Sequence, residues 1–237
     1  LDAEHHTVSE IEIPDFDPYR GKAEGVRTPV RRPGREAHRR ILDAVEELLR
    51  QGPWEEISNL DIQNATGMSS SSIYARFESR KAMLEALVDR FTERAEAAAR
   101  ETQEQFLALE NPTLDEVIYI SMRAQVRFVR ENGHIQRTMS SYESLEGRRR
   151  EFEARIGRYT FEQTTPFIPI EDVAERAARQ LFIGLSAAAA IQRAFGPPNY
   201  WADRWGFDDE WLAKELTRAI TSYLRTPMTG PYPSNRL

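Results

Sequence analysis

Residues 57–77, ISNLDIQNATGMSSSSIYARF, constrain the fold of this chain more than any other stretch. Two short helices fit residues 60–66 and 70–77, with Gly67-Met68-Ser69 between them. Glycine adopts a positive φ without a Cβ penalty, so Gly67 suits a tight turn between crossing helices. Ser69 suits the N-cap of the second helix, where its hydroxyl accepts a backbone N–H that the helix leaves unpaired. Leu60, Ile62 and Ala65 are expected to face inward, Ala65 being small enough for a close crossing. Met68 is expected to plug the turn into the core. Ile73 and Phe77, four apart, anchor the second helix. That leaves Ser70, Ser71, Ser72, Tyr74, Ala75 and Arg76 outward. Hydroxyls and guanidiniums are groups that meet phosphates and base edges. Taken alone, the segment also fits an ordinary helical hairpin with Ser69–Ser72 as a polar loop.

The flanks are helical in pattern. Ile41, Ala44, Val45, Leu48 and Leu49 recur every three or four residues, and Gly52-Pro53 stops them. A long helix begins near Arg80 and carries Met83, Leu84, Leu87, Val88 and Phe91 on one face; Asn111-Pro112 breaks it. Further helices are expected over 114–131, ended by Asn132-Gly133, then 135–141, 145–163, 171–195 and 208–224. Pro166 and Pro169 mark a loop. Gly196-Pro197-Pro198 and an aromatic stretch with Trp201, Trp205 and Phe207 separate the last two helices. Alternation of strand type is missing, so the fold class is all-α.

The net charge of -6 argues at first against a nucleic-acid partner, but its distribution reverses the argument. Residues 1–26 hold seven acids and two bases, whereas residues 27–94 hold twelve bases and eleven acids. The bases begin as a cluster of Arg27, Arg31, Arg32, Arg35, Arg39 and Arg40. Phosphates sense such local charge, within a Debye length of about 8–10 Å, and not the sum over the chain. Residues 1–26, acidic and interrupted by Pro14 and Pro18, read as an arm. Residues 27–35, with Pro29, Pro33 and Gly34, read as an extended basic linker. The cluster reads equally as an arm along phosphates and as a solvated linker. Asn64 and Thr66 are expected at the solvent.

These residues carry a resemblance. Ile41-Leu42-Asp43-Ala44, Leu48, Gly52, Ile57-Ser58, Asp61-Ile62, Ala65, Gly67, Met68-Ser69, Ile73-Tyr74, Phe77, Ser79 and Ala82-Met83-Leu84 stand at one characteristic spacing. Residues 39–87 thereby resemble the DNA-binding domain of the TetR family of transcriptional repressors. The resemblance implies an all-helical homodimer with a three-helix DNA-binding domain that binds a pseudo-palindromic operator in double-stranded DNA. A larger C-terminal helical domain would bind a small-molecule effector and pair through the last two helices. Tyr74 matches a position that touches the DNA backbone, Arg76 one that is polar or basic, and Arg80 a basic residue at the start of the fourth helix. Ser70 and Ser71 depart from the family's usual lysine and glycine. The expected DNA-contacting set is Ser69, Ser70, Ser71, Ser72, Tyr74, Arg76, Arg80 and Arg39. The implied division is an arm over 1–35, a DNA-binding domain over 36–84 and an effector-binding and dimerisation domain over 85–237.

Beyond residue 95 the pattern is of apolar stripes with polar interruptions. Leu114, Val117, Ile118, Met122, Val126 and Val129 share a face with Gln125; Phe152, Ile156 and Tyr159 share one with Gln163; Leu181, Phe182, Leu185 and Ala189 share one with Gln192. Polar groups on apolar stripes are what a pocket needs to orient a guest, and Gln125, Tyr159, Phe182 and Gln192 are the candidate ligand residues. Such groups also occur at the wet edge of a stripe. A mostly apolar lining favours a hydrophobic or aromatic effector. No catalytic fingerprint, cofactor motif or metal-ligand spacing appears, so an enzyme is not expected. No apolar run reaches the ~18 residues of a membrane span. The absence of cysteine fits a cytoplasmic protein. The alternative to a regulator is a helical small-molecule-binding or scaffold protein without specific DNA binding.

Overall fold

The structure, a computed structural model, describes residues 25–26, 32–195 and 206–226. These form eight α-helices: α1 (Arg32–Gln51), α2 (Asn59–Thr66), α3 (Ser70–Tyr74), α4 (Arg80–Leu107), α5 (Leu114–Ser141), α6 (Glu146–Thr164), α7 (Val173–Phe195) and α8 (Asp209–Arg225). Single 3-10 turns occupy Glu143–Leu145 and Thr165–Phe167. The described residues hold no strand, and the fold is all-α as expected. Residues 1–24, Arg27, Arg31, Trp201 and Trp205, singled out above, lie outside the described residues.

Local chemistry sets where the helices start. Ser58 opens α2 by accepting from Asp61 N while the Asp61 carboxylate accepts from Ser58 N at 2.7 Å. Thr113 and Glu116 repeat this reciprocal cap at α5. Each pair satisfies two N–H groups that would otherwise be orphaned. Ser79 and Asp208 cap α4 and α8 in the simpler one-way manner.

Three expectations about extent are corrected. α1 begins at Arg32, so part of the basic linker is helical. Pro33 is tolerated there because first-turn N–H groups have no intrahelical acceptor to lose. α3 ends at Tyr74 and not at Phe77. α5 runs unbroken through Asn132-Gly133, fusing two expected helices. Asn132 donates from Nδ2 to Phe128 O at 3.0 Å, and its Oδ1 accepts from Arg94 at 3.2 Å. A side chain bonded along its own helix and across to another no longer favours a stop, and tertiary packing overrides the glycine cost of about 1 kcal/mol.

Two apolar cores are threaded by α5. The first gathers Ile41, Val45 and Leu49 of α1, Ile62, Ile73 and Phe77 of the helix-turn-helix segment, and Met83, Leu84, Leu87 and Phe91 of α4. It is closed by Ile135 and Met139 of α5 and by Leu145. Phe91 meets Phe128 and Phe152 with ring centroids 5.3 and 4.8 Å apart. The first core therefore extends past residue 84, and α4 crosses that point without a break. The second core gathers Leu114, Ile118, Met122 and Val126 of α5, Ala187 and Ile191 of α7, and Ala213, Ile220 and Leu224 of α8. α8 lies antiparallel to α5, with ion pairs Arg130–Asp209 and Asp115–Arg225 toward its two ends.

One polar cluster fastens the first core to the rest of the bundle. Glu46 of α1 is 5% exposed and pairs with Arg90 and Arg94 of α4, the latter at 2.7 Å. Arg50 approaches it at 3.2 Å and His134 of α5 at 3.5 Å. Arg90 also holds Asp43, and Arg50 donates to Glu131 O. Burial pushes the Glu46 carboxyl up, but the adjacent His134 imidazole, hydrogen bonds from Arg94 and the charges of Arg90 and Arg94 outweigh it. They hold the group well below the usual carboxylate range.

Glu46→Gln leaves two guanidiniums without their shared counter-charge. It is expected to cost about 3 kcal/mol, the lower end for a broken buried pair, because Arg90 and Arg94 retain some solvent. A depressed carboxyl stabilises the fold above its unfolded value of about 4.3 and loses that contribution as the pH falls. The gap in Tm between parent and variant should therefore be full near neutrality and shrink as the pH drops below about 4. Thermal unfolding across pH checks both statements.

Candidate nucleic-acid interface

The α2–turn–α3 unit is built from hydroxyls as much as from apolar contacts. Ile62 and Thr66 face inward from α2, at 1% and 0% exposure. Leu60 (63% exposed) and Ala65 face outward, which corrects the inward assignment of both. Thr66 takes the inner position because its hydroxyl can be satisfied there. It donates to Ile62 O at 2.7 Å and accepts from Met68 N at 3.3 Å. Thr66 is thus removed from the solvent-facing candidates, whereas Asn64 is exposed as expected. Gly67 has φ +62° and donates to Gln63 O at 2.7 Å, ending α2 in the left-handed conformation. Met68 packs against the first core.

Ser69 caps α3 by accepting from Ser72 N at 3.3 Å. It also lies 3.1 Å from the Ser71 hydroxyl and donates to the Ser72 hydroxyl at 2.9 Å. Ile73 and Phe77 are buried as expected, at 2% and 0%. Ser71 is exposed, and Ser70 and Ser72 are half-buried. Tyr74 is half-buried on the first core and donates its hydroxyl to Asn59 Oδ1 at 2.9 Å. Asn59 was not anticipated. It stands one turn before the motif's apolar residues, and only the fold brings it fifteen residues back onto Tyr74. Arg76 is half-buried and donates to Ser72 O at 2.6 Å, bracing α3.

The remaining two bases differ. Arg39 is exposed, and with Arg40, Glu36, Asp43 and Ala65 it lines a groove between α1 and α2. Arg80 is engaged inside the fold: its guanidinium sits 4.2 Å over the Trp54 ring and donates to Trp54 O at 3.0 Å. His38 of α1 stacks on Phe77 at 4.6 Å. Burial, with the charges of Arg90 and Arg76, pushes its imidazole below the ordinary value, which favours the neutral ring beneath the motif.

The four candidate ligand residues do not share one setting. Gln125 of α5 has its Oε1 buried and without a hydrogen-bond partner among the described residues. Tyr159 of α6 is half-buried and donates to Gln103 Oε1 of α4 at 2.9 Å; burial raises its phenol. Phe182 is 57% exposed and Gln192 is exposed, both on the open side of α7. A groove of about 540 Å³ lies elsewhere, between α1, α4 and α5. Glu46, Arg50, Arg94, Glu101, Arg127 and Glu131 are among its walls, and none of the four candidate residues lines it. Among the described residues no group of three His, Cys, Asp or Glu side chains is placed to hold a metal ion, and no helix is long and apolar enough to cross a membrane.

Residues 41–87 match the family model described as bacterial regulatory proteins, tetR family. The fold is similar to three solved structures. A protein of Rhodococcus sp. described as a TetR-family transcriptional regulator has TM-score 0.56 and 18% identity, over 80% of this chain and 99% of that one. The fatty acid degradation regulator FadR of Bacillus halodurans has TM-score 0.59 and 14% identity, over 81% and 97%. GusR of Salmonella enterica has TM-score 0.57 and 16% identity, over 84% and 100%. No curated protein matches the chain in sequence.

Gly67→Ala puts a Cβ on a left-handed residue and 3.1 Å from an Arg40 nitrogen that can swing away. The cost is mainly conformational, about 1 kcal/mol or a fall of roughly 3 °C in Tm. Gly157→Ala in α6 meets nothing within 4 Å and is expected to raise Tm by a similar or smaller amount. Calorimetry on the two variants checks the opposite signs.

Proposed function

We propose, from the match of residues 41–87 to the tetR family of bacterial regulatory proteins, a ligand-responsive repressor that binds a pseudo-palindromic operator as a homodimer. The observation that carries the DNA-reading part is the α2–α3 unit. Its inner side is closed by Ile62, Thr66, Ile73 and Phe77, and its outer side offers hydroxyls and guanidiniums. Ser70, Ser71, Ser72, Tyr74, Arg76 and Arg39 are the proposed contacts. Arg80 holds Trp54 and serves to position the unit. Two copies of α3 about 34–36 Å apart would lie in successive major grooves.

Dimerisation is supported by α7. Leu181, Phe182 and Leu185 are 57%, 57% and 65% exposed on one side of a helix whose other side buries Ala187 and Ile191. With Gly184, Ser186 and Ala189 beside them, they form an apolar face that permits close approach of a second helix. The proposed partner is the same face of a second copy, with α8 alongside. This reading moves Phe182 and Gln192 from an effector pocket to the interface.

Effector response would run through α4 and α5. Both pass from the body of the bundle into the first core, and Glu46 ties α1 to each. An effector shifts DNA affinity only by its differential affinity for two arrangements of the reading units. Gln125, whose buried carbonyl finds no partner among the described residues, and Tyr159 are the proposed ligand contacts.

Tyr74→Phe and Arg76→Gln separate this reading from that of a helical binding protein without DNA recognition. Tyr74→Phe keeps the packing and removes one hydroxyl. Arg76→Gln removes one phosphate-seeking charge and should lower the slope of log affinity against log salt by about 1. Anisotropy titrations with promoter-region duplex are expected to show each variant folded and binding at least several-fold more weakly. A folded parent without affinity for DNA at low salt contradicts the reading.

A further inference from the structure

The chain before α1 is pinned beside the reading unit. Val26 forms an antiparallel bridge with Phe77 and packs on the first core. Glu78 N donates to Gly25 O at 2.9 Å. Gly25 has φ +77°, and a Cβ there would meet Glu78 Cβ at 3.2 Å, so the anchor needs glycine. Phe77, to which the anchor is bridged, is next in sequence to Arg76 and three residues past Tyr74. Ahead of it stand 24 residues that hold Asp2, Glu4, Glu10, Glu12, Asp15, Asp17 and Glu24 against Arg20 and Lys22.

We propose that residues 1–24 are a tethered acidic competitor for the DNA-reading face. They would occupy the surface of Arg39, Arg40 and Arg76 when DNA is absent and yield it to a specific operator. This rests on the DNA-reading function proposed above and adds a regulation of the same face. Three observations carry it. Charge is complementary: five net negative charges stand ahead of an anchor at the edge of exposed guanidiniums on α1 and Arg76 after α3. Reach is ample: 24 residues span up to roughly 80 Å, and His38, the neighbour of Arg39, stacks on Phe77 at the anchor itself. The tether supplies a local concentration on the order of millimolar, where weak charge pairing suffices. The acids Glu36 and Asp43 share the α1–α2 groove with Arg39 and Arg40, and Arg90 engages Asp43. The competitor is therefore weak, which suits displacement by an operator but not by random DNA. The consequence is selectivity: non-specific binding, almost wholly electrostatic, is suppressed more than operator binding.

The test compares three proteins by anisotropy with a random-sequence 20-base-pair duplex. They are the full chain, a chain starting at Gly25, and a full-length chain with the seven acids changed to amides (D2N, E4Q, E10Q, E12Q, D15N, D17N, E24Q). Both variants are expected to bind about fivefold or more tightly at 50 mM salt, with the gain shrinking toward 200 mM. Affinities within twofold of the full chain, or weaker, overturn the proposal. A gain on truncation without a gain in the amide variant also overturns it, because bulk and not charge would be responsible. If none of the three binds duplex at low salt, the DNA-reading function fails and this proposal with it; equal binding by all three sinks only the acidic competitor.

Discussion

The Glu46 carboxylate is the point on which the arrangement of the reading unit depends. A lone ionised group at 5% exposure is too costly to keep, and the fold retains it only because two guanidiniums from α4 and a histidine from α5 converge on it. The convergence has a geometric consequence. α1 carries one wall of the reading unit, and it cannot turn relative to α4 or α5 without breaking charge-assisted hydrogen bonds. Ile41 and Val45 of α1 pack in the same core as Ile73 of α3 and Phe77. The charged groove between α1, α4 and α5 is the open side of this same clamp.

Within the reading unit the division of labour is by depth. Apolar side chains and one satisfied threonine hold the inside, and a chain of serine hydroxyls organises the start of α3. Arg76 and Tyr74 each make one internal hydrogen bond, to Ser72 O and Asn59, while remaining half-exposed. They are therefore held in place, and in the proposed role less side-chain entropy would remain to be lost on meeting a phosphate. Arg80 shows the other outcome for a basic residue at this surface, with its guanidinium turned onto Trp54.

Most of the helices were legible in the sequence because their signals are local: three-to-four spacing of apolar residues, serine, threonine or aspartate before each start, and Gly67 at the turn. Errors arose where a distant partner decided. Asn132-Gly133 reads as a stop until Arg94 is placed across from it. Ala65 reads as the inward residue until the Thr66 hydroxyl finds the Ile62 carbonyl. The α7 stripe was legible as apolar, yet periodicity is blind to whether such a face meets its own chain or another, so it leaves open whether Phe182 and Gln192 line a pocket or an interface. The charged groove was invisible because its walls come from three helices spread over residues 46–132. In the reading unit the frame was legible and the outer face only partly so, since partners such as Asn59 and Trp54 join it through space.

The central claim is that α2–α3 reads DNA in two copies on one side of the duplex. Hydroxyl-radical footprinting of promoter-region DNA tests it most directly. The account predicts two protected windows on one face of the helix, about one turn or roughly 10 base pairs apart, appearing together as protein is added. A folded protein that leaves a single window, or none at low salt, contradicts it.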